Sequence, residues 1–170
     1  MTGILPWQWP DGTRHAGFTG TRTDIHGPQI ATLAAIIDYV APDVLHMGDC
    51  QGADVQAANI ARSRGCRIVA HPPERTTYRA FYPADDVTEP AEYLFRNRQI
   101  IRSSLVLIAA PATRREQRRS GTWYTIRHAR ALTDYPVLIA YPDGAAAIHV
   151  HGLTGTLDLT TLNPQAFPGM

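Results

Sequence analysis

Four short stretches of the chain carry glycine turns, hydroxyls or arginines in spacings that suit an anionic ligand. The first holds Gly17, Thr19, Gly20, Thr21 and Arg22. Glycines this close let a backbone approach a ligand, and the neighbouring hydroxyl and guanidinium groups add donors. The same pattern also fits a plain tight turn. The second stretch, Gly48-Asp49-Cys50-Gln51-Gly52-Ala53-Asp54, is a glycine turn entering a helix. A helix amino end offers unpaired N–H groups to an anion. Asp54 reads there as an N-cap, while Asp49 is free to accept from ribose hydroxyls. The third is Arg96-Asn97-Arg98, placed just before the most apolar run. The fourth is Arg118-Arg119-Ser120-Gly121-Thr122. Helix-start amides, a small hydroxyl and arginines in one turn make it the best phosphate site in the sequence. The alternative is that Arg114, Arg115, Arg118 and Arg119 form a solvated charged loop.

Other candidates are weaker. Trp123 and Tyr124 suit either core packing or base stacking. His149 and His151 have the same-face spacing of a strand, but two histidines lack a third zinc ligand and read as solvated. No metal site is expected. Cys50 and Cys66 have neither zinc-site nor redox-pair spacing and read as small apolar residues in a reducing compartment. There is no G-x-G-x-x-G and no P-loop motif, and no nucleophile sits in a recognisable triad context. No catalytic residue and no cofactor can be assigned from these patterns.

The elements that must position these stretches alternate along the chain. His15–Gly20 reads as a strand running into a turn. A helix opens at Gly27-Pro28 with Ile30, Leu33, Ile37 and Val40 on one face. Strands are expected at 44–47, 67–70, 105–109 and 136–140. Helices are expected at 55–64, at 89–101 behind Thr88, and at 121–132. Residues 74–88 form a long polar loop, of a length that is functional or mobile. Residues 145–170 read as a weak hairpin or appended tail. Strand and helix alternation implies an α/β fold: a three-layer α/β/α arrangement around a mostly parallel sheet of about five strands. The turns at 17–22, 48–54, 71–88 and 110–122 should then converge on one rim, where such sheets bind ligands.

Composition limits the function. The chain has 170 residues, one domain's worth. Hydrophobic residues at 44% and charged residues at 18% exclude a disordered chain. All 16 basic residues are arginine, so every lysine mechanism is excluded. A net charge of +1 argues against bulk binding to nucleic acid or an anionic membrane. No apolar run approaches a membrane span and the first residues do not resemble a signal peptide, so a cytoplasmic protein is expected.

Taken in chain order, Thr19-Gly20-Thr21-Arg22, Gly48 through Gly52-Ala53-Asp54, Arg96-Asn97-Arg98 and Gly121-Thr122 before a helix resemble the SLOG superfamily. That group includes the DprA/Smf-like proteins and the LOG-type phosphoribohydrolases. The closest similarity is to the small YspA/YpsA-related branch, which reads T-G-S-R, G-G-A-x-G-A-D, R-N-R and G-G-x-G-T. The resemblance covers residues 15–143. It implies a Rossmann-like nucleotide-binding domain over 1–144 with 145–170 packed on it, and pairing into a homodimer or higher oligomer. Members bind nucleotides or nucleotide-derived signals, and some hydrolyse an N-glycosidic bond. Thr125 stands where the LOG enzymes carry their catalytic Glu, and Gly48-Asp49 replaces a double glycine. Arg96 falls where the LOG arginine would. These departures favour binding over catalysis, unless Asp49, Asp85, Asp86, Glu89 or Glu92 supplies the carboxylate. The resemblance thus points to a module that senses or sequesters an ADP-ribose or cyclic-nucleotide type ligand. The alternatives are a nucleoside-monophosphate N-glycosidase and a DprA-like nucleic-acid binder.

Overall fold

The computed structural model describes residues 9, 11–150 and 153–158. The elements follow the order β1 (His15–Gly20), α1 (Gly27–Val40), β2 (Val44–Met47), α2 (Ala53–Ser63), β3 (Arg67–Ala70), β4 (Asp86–Val87), α3 (Tyr93–Arg102), β5 (Val106–Ala110), α4 (Gly121–Arg130), β6 (Val137–Ala140), β7 (Ala146–Val150) and β8 (Leu153–Thr156). One sheet takes all the strands in the order β4-β3-β2-β1-β5-β6-β7-β8. The first six in that row are parallel, and β7 and β8 add an antiparallel hairpin at the β6 edge. The fold is α/β and Rossmann-like. The sheet has eight strands rather than about five, because residues 86–87 and the hairpin at 146–156 join it.

Burial explains the centre of the sheet. Every residue of β5 and β6 is inaccessible to solvent, which is why both read as unbroken apolar runs. One face carries Ala16, Phe18, Leu45, Met47, Ile68, Val106 and Ile108 under α1 and α2. The other carries Leu107, Ala109, Val137 and Ile139 against Trp123 and Ile126 of α4 and Ile101 of α3. Helix α1 ends at Ala41 in a left-handed conformation (φ 46°), its N–H donating to the Ile37 carbonyl, and Pro42 follows. Helix α3 starts later than its sequence suggests. Glu92, not Thr88, is the cap, its Oε2 accepting from the amides of Leu94 and Phe95 at 3.1 Å.

The α3 side of β1, β2 and β3 is polar instead of apolar. His15 Nδ1 lies 2.9 Å from His46 Nε2, and His46 Nδ1 lies 2.9 Å from His71 Nε2. The imidazoles form a hydrogen-bonded row from β1 through β2 to the residue that follows β3. They do not converge on a point, and no group of three or more potential ligands among the described residues is arranged to hold a metal ion. Burial, reinforced by His71 and His15, pushes His46 down to about 3. Burial and the Arg96 charge push His71 down to about 4.

Both imidazoles therefore stay neutral in the folded chain, while the unfolded chain takes up protons below the ordinary value of 6.5. Their contribution to stability is complete above that pH and is lost as pH falls from 6.5 towards 4 and then 3. His46→Gln removes one such proton. Denaturant titrations between pH 6.5 and 4 should show a pH slope shallower than wild type by up to about 1.4 kcal/mol per pH unit. An unchanged slope would mean that the row titrates elsewhere.

Candidate functional site

The chain runs outward from β1 through β2, β3 and β4, then returns to the other side of β1 for β5 and β6. The strand order reverses between β1 and β5, and the carboxyl ends there form the crevice such sheets use for ligands. The four turns do meet on this rim. Thr21 N–H donates to the Ala110 carbonyl at 3.0 Å, and Ala53 N–H donates to the Thr21 carbonyl at 3.0 Å.

The glycines of the first two motifs serve this packing. A Cβ at Gly17 would come within 2.8 Å of Ser104 Oγ and 2.9 Å of Ile100 Cγ2, so Gly17 lets α3 lie close on β1 rather than facing a ligand. A Cβ at Gly20 would meet Ala53 Cβ at 2.6 Å. Gly52 has φ +83°, and a Cβ there would overlap the backbone of Arg22. Thr19 is half-buried within β1, and Thr21 Oγ1 is 3.1 Å from Thr23 Oγ1. The cradle expected at 17–22 is therefore a clamp between two loops. Only Arg22 is exposed and reaches outward from it.

Asp49 is not free for a ribose. It is 1% exposed and takes a left-handed backbone (φ 55°). Its carboxylate accepts from Arg79 Nε at 2.7 Å and from the Tyr82 amide at 2.8 Å. Its carbonyl accepts from the Ala80 amide at 2.8 Å. Asp49 thus ties the long loop to the 48–52 turn. Asp54 lies inside the first turn of α2, behind Gly52, and turns back to accept from the Cys50 amide at 3.0 Å. Burial pushes its carboxyl up to about 6, against the opposing pull of Arg96.

Between the tied loop and α3 lies a cleft of about 470 Å³ lined by Arg22, Cys50, Pro73, Glu74, Arg75, Thr77, Tyr78, Glu92 and Tyr93. Arg22 stacks on Tyr78 with its guanidinium carbon 4.5 Å from the ring centre. Arg96 lies directly behind this wall and is 3% exposed. Its Nη2 donates to Cys50 Sγ at 3.5 Å, its Nε has no partner, and no carboxylate among the described residues forms an ion pair with it. A Cβ at Gly48 would overlap its Nη1, which explains the glycine at that position. Asn97 is buried on the same helix.

At the start of α4, Ser120 acts as the N-cap, accepting from the Trp123 amide at 3.2 Å. It is occupied by its own helix rather than free for a ligand. Gly121 is half-exposed and Thr122 is buried. Arg119 is exposed in the charged loop and does not line the cleft. Arg114 pairs with Asp143, and Arg127 with Glu116 at 3.0 Å. Trp123 is core, 2% exposed, not a stacking platform. Thr125 is buried and donates to the Gly121 carbonyl at 2.9 Å. Asp85 pairs with Arg62 and accepts from the Ile68 amide, and Asp86 pairs with Arg67, away from the cleft. His149 takes Arg130 and Thr154 as partners, and His151 lies outside the described residues. Cys50 and Cys66 are free and buried.

The sequence reading missed Glu74, Arg75 and Tyr93. A signal existed for Tyr93: it precedes Arg96 by three residues on one helix, which puts both on one face.

No family model matches the chain, and no curated protein does. Among solved structures, the chain is similar to the molybdenum cofactor binding protein from the phototrophic bacterium Rippkaea orientalis. The TM-score is 0.56 and the identity 19%, over 75% of this chain and 76% of that one. The structure of TM1055 matches with TM-score 0.43 and 13% identity, over 75% of this chain and 91% of that one. At this identity the first likeness is one of fold. No helix among the described residues is long and apolar enough to cross a membrane.

Asp49→Ala should free the loop that walls the cleft. Removing one partner of a buried pair costs about 3 kcal/mol. Trypsin should then cut after Arg75 and Arg79 faster than in wild type under native conditions. Equal cleavage rates would show that other contacts hold the loop.

Proposed function

We propose that the chain is a SLOG-like module that binds a small nucleotide-derived ligand at the carboxyl rim of its sheet, as a sensor or a sequestering protein. The observation that carries this reading is Arg96. A guanidinium taken out of water is strongly disfavoured unless an anion or a full set of acceptors meets it. Arg96 is incompletely met in the folded chain: the Asp54 carboxylate attracts it without a direct ion pair, and its Nε is unpartnered. It lies beside a cleft that also holds Arg22 and Arg75, with aromatic walls at Tyr78 and Tyr93. Phosphate with a flat ring attached is the ligand chemistry that suits both features. A protein of similar fold is described as binding a molybdenum cofactor, which supports small-molecule binding on this scaffold. A homo-oligomer in the cytoplasm belongs to the same proposal.

A hydrolytic reading has one observation in its favour. Glu74 and Glu92 line the cleft, so a carboxylate is within it although Thr125 is not one. Glu92 already holds two helix amides. Glu74 is the freer candidate for stabilising positive charge on a sugar. Release of free adenine from AMP, lost in Glu74→Gln, would make this reading the better one.

The binding reading is tested by calorimetry with AMP and adenosine on wild type and Arg96→Ala. A charge-assisted contact is worth about 1.5–3 kcal/mol, so AMP affinity should fall about ten- to a hundred-fold, with adenosine little changed. Equal losses for the two ligands would make Arg96 a structural residue.

A further inference from the structure

The first residue of α3 occupies the place where the cationic groups of the rim meet. The ring centre of Tyr93 lies 5.1 Å from the guanidinium carbon of Arg22 and 4.8 Å from that of Arg96. Its hydroxyl sits against Gly121, so closely that a Cβ at 121 would overlap it. One phenol therefore fills the space between two guanidinium groups and the amino end of α4. That helix has 10 residues, and the amides of Gly121 and Thr122 have no hydrogen-bond partner among the described residues. The two guanidinium groups and the free helix amides facing this volume prefer an anion. Tyr93 supplies only a π face and a hydroxyl dipole. It satisfies the cations well enough to keep them folded, and less well than a doubly charged phosphate would.

We infer that Tyr93 is a displaceable plug of this anion site and sets which phosphates can enter it. The inference rests on the binding reading above and adds the selectivity. Tyr93 is half-exposed and borders the cleft, which is the space a displaced ring would enter. A ligand must win back the two cation–π contacts that its entry breaks. A terminal phosphomonoester or diphosphate carries about two charges near neutral pH and gains both guanidinium groups and the helix amides. A cyclic phosphodiester carries one charge and gains less. The plug thus favours ligands with a terminal phosphate or a diphosphate over cyclic nucleotides, and it keeps the site closed to weak monoanions.

The experiment compares wild type with Tyr93→Ala by calorimetry, using inorganic phosphate, AMP and cyclic AMP as probes. Removing the plug should tighten inorganic phosphate at least ten-fold and shrink the preference for AMP over cyclic AMP. Unchanged or weaker phosphate binding in Tyr93→Ala, with AMP still bound by wild type, overturns the plug and leaves the binding reading standing. Absence of binding to any probe in both proteins overturns the two together. A second measurement covers a variant that fails to fold. In wild-type protein carrying fluorotyrosine, with Tyr93→Phe used to assign the resonance, saturation with AMP should move the Tyr93 signal to a solvent-exposed position. A signal that stays in place while AMP binds overturns the plug.

Discussion

A buried cation with no direct ion pair governs the chemistry of this rim. Arg96 needs its space, and Gly48 provides it, because any side chain at 48 would overlap Nη1. It needs soft or polarisable neighbours, and Cys50 Sγ and the Tyr93 ring fill that role. Its field then acts on the groups around it. It disfavours a proton on His71, and it works against the burial that pushes Asp54 up to about 6. The buried thiol of Cys50 is raised by burial and by Asp54, and Arg96 again opposes the shift. Burial leads each of those shifts, and the Arg96 charge modulates it.

The second constraint is mechanical. A cleft beside a parallel sheet needs a wall, and here the wall is a segment of more than twenty residues with only a two-residue strand in it. Such a segment cannot hold itself by regular pairing. Asp49 replaces the missing ladder by accepting from Arg79 and from the Tyr82 amide while its carbonyl takes the Ala80 amide. Gln51 adds an amide to the Tyr78 carbonyl at 2.9 Å. The left-handed backbone at Asp49 is what aims both ends of the residue at the loop. A position that reads as a ribose acceptor in the sequence is thus spent on building the pocket.

That exchange marks the boundary of what the sequence discloses. Strands buried on both faces, β5 and β6, are plain in their apolar runs. The parallel order, and with it the convergence of four turns on one rim, follows from alternation alone. β4 is invisible because two exposed residues carry no periodicity, and Asp86 joins the sheet only by pairing with Val69. The start of α3 is ambiguous because Thr88 and Glu92 can each cap, and only the geometry assigns the amides to Glu92. The motifs locate the rim correctly, yet spacing cannot separate a glycine that admits a ligand from one that admits another loop. Gly17, Gly20 and Gly52 are of the second kind, and what distinguishes them is the atom a Cβ would meet.

The charge balance of the rim also resolves an apparent conflict with the composition. A chain of net charge +1 is a poor match for a polyanion, and the exposed Arg62, Arg64, Arg67 and Arg114 are paired with Asp85, Asp38, Asp86 and Asp143. Long-range attraction is therefore weak. Within the rim the balance differs. The Glu92 carboxylate accepts from the amides of its own helix and Asp54 attracts Arg96 without a direct ion pair, while Arg22 and Arg96 lie against aromatic faces. Two guanidinium groups thus flank a volume the size of one phenol ring. On the proposed binding reading, that arrangement favours a compact dianion presented at contact distance over an extended phosphodiester backbone lying across the surface.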